Sequence, residues 1–235
     1  MCLMLCLKNE KLRLKDFDII AIQEVVAGEG GIEAVERLYN ALLNYDKSWD
    51  YSVSEPTFSS ANKTERYAFL WRSNKVTLKG DAWLDEKYKL EVDREPYFAS
   101  FIFKKMHFTL VNFHAITKSR QPETEVKYFR YFPEEYPRLN LILCGDFNLP
   151  ESHSVFNPLK KMGYEPALTG QKTSLRDRCL SDGCLASELD NFFLRSSEFQ
   201  IIDRGVIHFY NDFPDFQEAR KISDHVPVYI RIKAK

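Results

Sequence analysis

The amino-acid sequence predicts one α/β domain over residues 1–235, with two packed mixed β-sheets and helices on the outside. Three observations support this fold class. The length of 235 residues falls within the range of about 200–250 residues that single α/β domains commonly reach. No internal repeat, charge block or Pro/Gly/Ser-rich linker divides the chain. Predicted strands outnumber predicted helices, and the helices separate groups of strands, which favours packed sheets over a single parallel sheet.

The first predicted elements are a strand and a helix. Residues 1–7 are apolar, but they are too few for a membrane span and lack the charged start of a signal peptide. They are therefore predicted as a strand or the remainder of one. Residues 18–23 form a continuous apolar run that is typical of a buried strand. Apolar residues then recur at helical spacing from Ile32 to Leu43, which predicts an amphipathic helix.

The middle and the end of the chain are rich in strands. Runs of β-branched and aromatic residues predict five strands, paired largely as antiparallel hairpins, at 49–54, 67–72, 76–83, 97–103 and 107–115. A polar helix is then predicted from Gln121 to just before Pro133, followed by a strand at 139–144 and a short helix at 152–162. The last predicted strands cover 191–194, 205–209 and 226–232.

Charge and cysteine content exclude several functional classes. The chain has 33 Lys and Arg against 34 Asp and Glu, so its net charge gives no field strong enough to indicate polyanion binding, and any basic patch must be local. None of the five cysteines forms a C-x-x-C pair, which argues against a structural zinc site. Cys144 lies inside an apolar run and is predicted to be a buried thiol. Cys179 and Cys184 either close a short disulfide loop or stay reduced.

Polar side chains recur where apolar strand runs end. Five such runs end in, or directly adjoin, titratable or metal-binding side chains, which are Glu24, His114, Asp146 with Asn148, Asp190, and Asp224 with His225. An isolated buried charge is costly, so carboxylates at strand ends are usually paired, hydrogen-bonded or bound to a cation. We therefore expect these strand ends to converge on one rim and to form a shared site.

The residue types at this rim indicate metal-assisted hydrolysis. Five of them offer hard oxygen ligands, namely Glu24, Asp146, Asn148, Asp190 and Asp224. Such ligands select Mg²⁺, Mn²⁺ or Ca²⁺ over zinc. The two histidines titrate near neutral pH and suit proton exchange with water or with a leaving oxygen. A metal, a water and an acid/base pair together describe phosphoester hydrolysis.

Three of these segments resemble motifs of the endonuclease/exonuclease/phosphatase superfamily, in family order. They are Gln23-Glu24, Gly145-Asp146-Phe147-Asn148 and Ser223-Asp224-His225. Within that superfamily the chain is most similar to the deoxyribonuclease I family, on three further segments: Ser54-Glu55-Pro56, Glu65-Arg66-Tyr67 and Arg94-Glu95-Pro96. The resemblance runs from about Asp16 to the C-terminus. It implies a four-layered α/β sandwich and a metal-dependent endonuclease that hydrolyses DNA to 5′-phosphate and 3′-hydroxyl ends.

The resemblance also implies roles for individual residues. Glu24 corresponds to a metal ligand, and Asp146, Asn148 and Asp224 correspond to the polar ring around the metal and the scissile phosphate. His114 and His225 resemble the two catalytic histidines, with Glu65 orienting His114 and Asp190 orienting His225. Arg94, together with Asn148, resembles the group that contacts a phosphate. The implied cofactor is Mg²⁺ or Mn²⁺, with Ca²⁺ as an alternative, and the implied partner is DNA alone, with no membrane and no obligate protein partner.

A basic rim for DNA is predicted from six cations near these motifs: Lys63, Arg66, Arg72, Arg94, Lys118 and Arg120. Most of the single residues also have a structural interpretation when each is taken alone. Asp146 and Asn148 suit a turn after a strand, and Asp224 with His225 suits a solvated loop. His114 suits a hydrogen-bonded core position, whereas Glu65 and Arg94 suit an exposed surface. The joint pattern in family order favours the functional interpretation.

The chain departs from the family at its beginning. The family opens with an Asn-bearing strand and a helix, whereas only about fifteen residues precede Asp16, so these elements are predicted to be absent or shortened. Val26 stands where the deoxyribonuclease I family carries a basic residue. Two alternatives therefore stay open: a phosphatase or phosphodiesterase for small-molecule or lipid phosphoesters, and a non-catalytic binding protein. We expect a cytoplasmic location if the chain is complete and secretion if its N-terminus has been trimmed.

Overall fold

A computed structural model describes residues 13–59 and 64–235. The strand predicted at 1–7 and the predicted rim residue Lys63 lie outside these residues. In chain order the elements are β1 (Ile19–Val26), α1 (Glu29–Leu43), β2 (Trp49–Val53), β3 (Glu65–Arg72), β4 (Thr77–Leu78), β5 (Trp83–Leu84), β6 (Tyr97–Phe103), β7 (Met106–His114), α2 (Glu123–Val126), α3 (Phe132–Glu135), β8 (Leu141–Asp146), α4 (Asn157–Lys161), β9 (Tyr164–Pro166), β10 (Leu175–Leu180), β11 (Gly183–Leu185), β12 (Asp190–Arg195), β13 (Phe199–Val206), α5 (Phe216–Arg220) and β14 (Val228–Ala234). Within the described residues, no helix has the length and apolar character to cross a membrane.

Two sheets form the centre of the molecule. The first has the strand order β1-β3-β2 and is antiparallel throughout. The second has the order β4-β6-β7-β8-β12-β9, and β5 also pairs with β6. Its mixed character comes from β7 and β8, which run parallel and are joined by a helical crossover, as parallel neighbours require. Two antiparallel pairs, β10–β11 and β13–β14, complete the strands.

The alternating faces of the strands produce four layers. In β3, Ala68 and Leu70 face α1, whereas Phe69 and Trp71 face the second sheet. In β8, Ile142 and Cys144 pack toward the first sheet, and Leu141 and Leu143 pack toward the aromatic side chains of the α2–α4 region. Successive strand residues point to opposite faces, so a strand buried on both sides is apolar throughout. The predicted arrangement of two packed sheets with outer helices is confirmed.

Several predicted boundaries are wrong for local reasons. The strand predicted at 76–83 is two short strands, β4 and β5, because Gly80 has a φ of +72° and turns the chain between them. The helix predicted to end before Pro133 continues through a 3₁₀ segment, Lys127–Tyr131, into α3. Pro133 lies in the first turn of α3, where no backbone N–H is needed. The helix predicted at 152–162 is a 3₁₀ turn, Ser154–Phe156, followed by the shorter α4.

The C-terminal third holds strands that the sequence did not predict. The strand predicted at 205–209 belongs to β13, which already begins at Phe199 and ends at Val206. The short strand β9 and the β10–β11 hairpin lack a clear apolar alternation and escaped prediction. Cys179 and Cys184 are bonded across this hairpin, which selects the disulfide among the two alternatives. Cys144 is buried as predicted, and burial raises the pKa of its thiol to about 11.

Strand direction brings the polar strand ends to one rim. The end of β7 and the end of β8 lie side by side, with His114 opposite Asp146. β12 runs antiparallel to β8, so its first residue, Asp190, also pairs with Asp146. β3 runs antiparallel to β1, which places Glu65 at the rim where β1 ends. Ser174, just before β10, forms an isolated bridge to His225 and closes the ring.

Gly145 allows the two parallel strands to approach at this rim. Its φ is +131°, and a Cβ at this position would lie 2.0 Å from the carbonyl oxygen of Phe113. An L-residue meets both a strained backbone and a backbone clash there. The glycine that precedes Asp146 is therefore required by close packing of β7 and β8.

Candidate active site

A bulge in β1 directs Glu24 toward the rim. The pairing of β1 with β3 shifts register between Ile22 and Val25, and Glu24 has a φ of +59°. A bulge re-aims a side chain in this way, and left-handed backbone at a non-glycine residue is concentrated at functional sites. One carboxylate oxygen of Glu24, Oε1, lies 3.4 Å from Nε2 of His114.

His114 is held by a carboxylate from the other sheet. Nδ1 of His114 lies 2.9 Å and 3.1 Å from the two carboxylate oxygens of Glu65. Its backbone N–H donates to the Tyr67 hydroxyl at 3.2 Å, and Nε of Arg94 lies 3.1 Å from Oε2 of Glu65. Burial opposes protonation, but the hydrogen bond and charge of Glu65 outweigh it, so the pKa of His114 is raised.

Asp146 and Asn148 form a tight turn at the end of β8. The backbone N–H of Asn148 donates to Oδ1 of Asp146 at 2.8 Å, and its side-chain amide donates to the Ala115 carbonyl at 3.0 Å. Asn148 has a φ of +51°. Asp146 and Asn148 therefore form a turn after the strand and also lie at the candidate site. Burial and the neighbouring Asp190 raise the pKa of Asp146 to about 6.

A second histidine–carboxylate pair lies beside this turn. Nδ1 of His225 lies 2.7 Å from Oδ2 of Asp190, and Nδ1 is 4.0 Å from Oδ2 of Asp146. The backbone N–H of His225 donates to the Ser223 hydroxyl at 3.0 Å. Burial lowers the pKa of His225, yet the charge and hydrogen bond of Asp190 raise it to about 10. Burial raises the pKa of Asp190, but His225 reverses this effect and the net pKa is lowered.

The rim offers a ligand set that fits a divalent cation. Asp146, Asp190 and His225 each present one ligand atom, and these atoms lie within 4.8 Å of one another. Oδ1 of Asp190 is buried and has no hydrogen bond of normal geometry in the described residues, although the Thr173 hydroxyl helps to lower the pKa of this carboxyl. A buried oxygen of this kind suits a cation ligand. Glu24 and Asp146 also flank Nε2 of His114, at 3.4 Å and 3.8 Å. This oxygen-rich set matches Mg²⁺, Mn²⁺ or Ca²⁺ better than a thiolate-binding metal.

Not every predicted site residue joins this group. The Asp224 side chain is exposed, and its backbone carbonyl accepts a hydrogen bond from Leu175, so the structure does not bring this carboxylate among the others. Arg94 lies at the rim beside Glu65, with Nη1 at 3.4 Å and 3.5 Å from the carbonyl oxygens of His114 and Ala115. The predicted ligand role of Asp224 stays a prediction without geometric support.

The predicted basic rim is smaller than expected. Arg72 lies at the end of β3 opposite Glu65, and its guanidinium is 3.9 Å from carboxylates of Asp18 and Asp46. Arg66 donates to the carbonyls of Ala27 and Ser54. Two of the six cations are thus engaged in the fold itself. Lys118 and Arg120 lie in an exposed 3₁₀ turn shortly after His114 and remain available.

Two supporting residues escaped the sequence analysis. The Thr173 hydroxyl accepts the backbone N–H of Asp190 at 3.0 Å. Asn112, buried in β7, accepts a hydrogen bond from Gln23 and donates to the Ile22 carbonyl at 2.9 Å. These contacts fix Asp190 and the bulge beside Glu24. A lone Thr in a loop carries no sequence signal. Asn112 does carry one, because a polar side chain inside an apolar strand run indicates a buried hydrogen bond.

The chain is similar to several known proteins. The profile of the Endonuclease/Exonuclease/phosphatase family matches residues 9–225. A deoxyribonuclease of Thioalkalivibrio sp. is 29% identical over 91% of this chain and 62% of the relative. Deoxyribonuclease-1-like 1 of Homo sapiens is 29% identical over 92% of this chain and 74% of the relative. The solved mannosyl-6-phosphatase of Bacteroides thetaiotaomicron has a TM-score of 0.64 at 18% identity, over 94% of this chain and 87% of that one. The chain spans less than two thirds of the Thioalkalivibrio relative.

Proposed function

Because the chain belongs to the endonuclease/exonuclease/phosphatase family, we propose that it is a metal-dependent phosphodiester hydrolase, a deoxyribonuclease I-like endonuclease that cleaves DNA to 5′-phosphate and 3′-hydroxyl ends. One observation carries the proposal. Two histidines, each bound at Nδ1 by its own carboxylate, lie within 4.0 Å of the same carboxylate oxygen, Oδ2 of the buried Asp146. The deoxyribonuclease names of the sequence relatives support DNA as the substrate.

The two pairs divide acid and base work between them. A carboxylate on Nδ1 orients each imidazole and stabilises its protonated form, which leaves Nε2 as the nitrogen that faces the substrate. One histidine takes a proton from the attacking water, and the other donates a proton to the leaving 3′-oxygen. Both residues lie on one rim with Asn148, whose amide is anchored to the Ala115 carbonyl. We propose that Asn148 and Arg94 contact the scissile phosphate.

A divalent cation would be held by the acidic side chains Glu24, Asp146 and Asp190, assisted by Asn148. When bound, it supplies charge stabilisation at the scissile phosphate. Glu65 is paired with Arg94 and His114, and one oxygen of Asp190 is paired with His225. The carboxylate oxygens of Glu24 and Asp146 lie nearby, and they favour a bound cation. Mg²⁺ or Mn²⁺ is the proposed ion, with Ca²⁺ as an alternative.

The non-catalytic alternative is weakened by the arrangement of the site. Both histidines have a carboxylate at hydrogen-bond distance from Nδ1, as a proton-transferring imidazole needs. The phosphatase alternative remains a competitor in the test below, because fold likeness to a mannosyl-6-phosphatase does not identify a substrate.

The test is conversion of supercoiled plasmid to nicked circle in Mg²⁺ or Mn²⁺. We expect nicking that is abolished by EDTA and reduced by about a hundredfold in His225→Ala. A matched reaction with bis(p-nitrophenyl) phosphate measures diester hydrolysis without DNA binding. Hydrolysis of small phosphoesters without any nicking would overturn the DNA proposal and favour the alternative substrate class. Inactivity on both substrates with an intact fold would overturn the hydrolase proposal.

A further inference from the structure

A surface cavity lies near the candidate active site, between two segments that adjoin it along the chain. Its volume is about 310 Å³, and its walls come from two segments, the α2 region and the turn after β8. Three basic or titratable side chains line it, namely Lys127, Arg130 and His153, together with Ser154 and Glu123. None of these residues belongs to the catalytic group described above.

The two cations of this cavity are aligned and are not neutralised by the protein. Lys127 and Arg130 lie three residues apart on the 3₁₀ segment Lys127–Tyr131, where side chains at i and i+3 are stacked on the same face. Arg130 lies 4.6 Å above the ring of Tyr131, and Lys127 lies 5.1 Å above the ring of Tyr128. Nη2 of Arg130 donates to the Tyr131 hydroxyl. Among the described residues, neither cation is seen in an ion pair with a carboxylate, although Glu123 lines the same cavity. Their charges are therefore exposed to an external anion.

His153 adds a hydrogen-bond donor on the opposite wall. Its Nδ1 accepts the backbone N–H of Val155 at 3.2 Å. In the neutral imidazole this leaves the proton on Nε2, which is then a hydrogen-bond donor. The Ser154 hydroxyl lies in the same wall. Lys127 and Arg130 are positive and Glu123 is negative, so the lining carries a net positive charge. This charge suits the single negative charge of a backbone phosphate.

The cavity is connected to the catalytic rim by short pieces of chain. His153 follows Asn148 by five residues, which span at most about 17 Å when extended, and a turn from the His153 N–H to the Pro150 carbonyl shortens this distance. On the other wall, Glu125 accepts the backbone N–H of Ile116, two residues after His114, at 3.0 Å. Nucleotides along one DNA strand rise about 3.4 Å each. A separation of at most about 17 Å corresponds to no more than about five such steps, so one short stretch of strand can reach both places.

We propose that the cavity formed by Lys127, Arg130 and His153 is a subsite for a DNA backbone phosphate that lies a few nucleotides from the cleaved bond. The inference rests on the proposed endonuclease function. The planar guanidinium of Arg130 suits bidentate contact with phosphate, and Lys127 supplies a point charge. A contact of this kind positions the strand and carries no sequence information. The subsite thus raises the affinity for a polynucleotide without changing the chemical step.

The experiment compares the double variant K127A/R130A with wild type on two substrates. On duplex DNA we expect the KM to rise about fivefold to tenfold with kcat unchanged within twofold. The slope of log(1/KM) against log of salt concentration should fall by about 2, because two phosphate contacts are lost. On bis(p-nitrophenyl) phosphate, which is too small to reach the cavity, kcat/KM should stay within twofold of wild type.

The matched control is K105A/K233A. Lys105 lies in the turn between β6 and β7, and Lys233 lies near the end of β14, both exposed and both at the strand ends away from the catalytic histidines. This variant removes the same charge and should leave the KM for DNA and its salt slope within twofold of wild type. An unchanged KM in K127A/R130A, an equal change in the control, or an equal loss on the small diester would each overturn the subsite.

A binding measurement separates this proposal from the proposed function. In the His225→Ala background with Mg²⁺, a labelled 12-base-pair duplex is titrated against the protein with and without K127A/R130A. A Kd weakened fivefold or more by K127A/R130A, but not by K105A/K233A, supports the subsite even if the wild-type protein cleaves no DNA. Equal Kd values in all three proteins would overturn it, whatever the outcome of the nicking assay.

Discussion

The two histidine–carboxylate pairs look equivalent in sequence but differ in their surroundings. Glu65, the partner of His114, also contacts the Arg94 guanidinium, and both of its carboxylate oxygens lie within hydrogen-bond distance of Nδ1. Asp190, the partner of His225, uses one oxygen for the imidazole, while its other oxygen is buried next to Asp146 and forms no ion pair with a cation in the described residues. The Glu65 carboxylate is thus shared between His114 and Arg94, whereas the Asp190 carboxylate has an oxygen that could bind a metal ion.

This difference assigns distinct consequences to two similar hydrogen bonds. Loss of Glu65 removes the partner of the His114 imidazole and one ion pair of Arg94, so it affects proton transfer and phosphate binding together. Loss of Asp190 affects His225 and the cation-binding group. A carboxylate that binds a histidine must therefore be considered together with its other contact. That contact determines whether loss of the carboxylate also affects phosphate binding or cation binding.

The largest expected effect is removal of either imidazole. His114→Ala and His225→Ala should each lower kcat for plasmid nicking by about a hundredfold or more, because each removes a group that moves a proton in the reaction. Circular dichroism should show an intact fold. His107→Ala is the control, since this exposed histidine lies at the other end of β7. Turnover within threefold of wild type in both active-site variants would contradict the assigned roles.

The second prediction separates the two carboxylates. Asp190→Asn should lower kcat by about a hundredfold, because the Asp190 carboxylate supplies the charge that keeps His225 protonated, while KM changes little. Glu65→Gln should lower kcat by about tenfold and also raise KM, because Arg94 loses the ion pair that helps to orient its guanidinium. Steady-state kinetics on duplex DNA provide both constants. Identical kcat and KM changes in the two variants would remove the distinction between the pairs.

The third and smallest effect concerns stability without metal. The pKa of Asp146 is raised to about 6 by burial and by Asp190. A raised carboxyl pKa stabilises the fold below about pH 4, and this contribution is lost as the pH rises through 6, where the buried charge becomes a penalty. In EDTA at pH 8, Asp146→Asn should therefore raise the Tm by roughly 5 °C, and by less at pH 4.

The neighbouring Asp190→Asn variant should do the opposite. The pKa of His225 is raised to about 10, so its contribution is fully present below about pH 6.5 and is lost as the pH approaches 10. The lowered pKa of Asp190 adds stability that is lost only in acid. Replacement of Asp190 should thus lower the Tm at pH 8 in EDTA. Asp81→Asn, at an exposed carboxylate outside the site, is the control. Equal Tm shifts for Asp146→Asn and Asp190→Asn would contradict this account.

The main strands and the residue types at the rim could be predicted from the sequence. Apolar runs identified β1, β7 and β8, and the polar residues at their ends supplied both histidines and most of the carboxylates. Such features can be seen in short stretches of sequence. A strand buried on both faces must be an apolar run. A charged side chain costs less free energy at a strand end than in the middle of a buried strand. Even the positive φ of Asn148 follows from a local turn sequence.

Which of these groups lie next to each other could be seen only in the folded chain. Glu65 and His114 are 49 residues apart, and Asp190 and His225 are 35 apart, so their contacts depend on strand direction and register. Arg72 lies at the opposite end of β3 from Glu65, so it is far from the rim where the sequence predicts it. The Asp224 side chain is exposed and does not join the buried carboxylates. The fold also assembles the Lys127, Arg130 and His153 cavity from two distant segments. Pairing across a sheet is a long-range property, and residue type alone does not contain it.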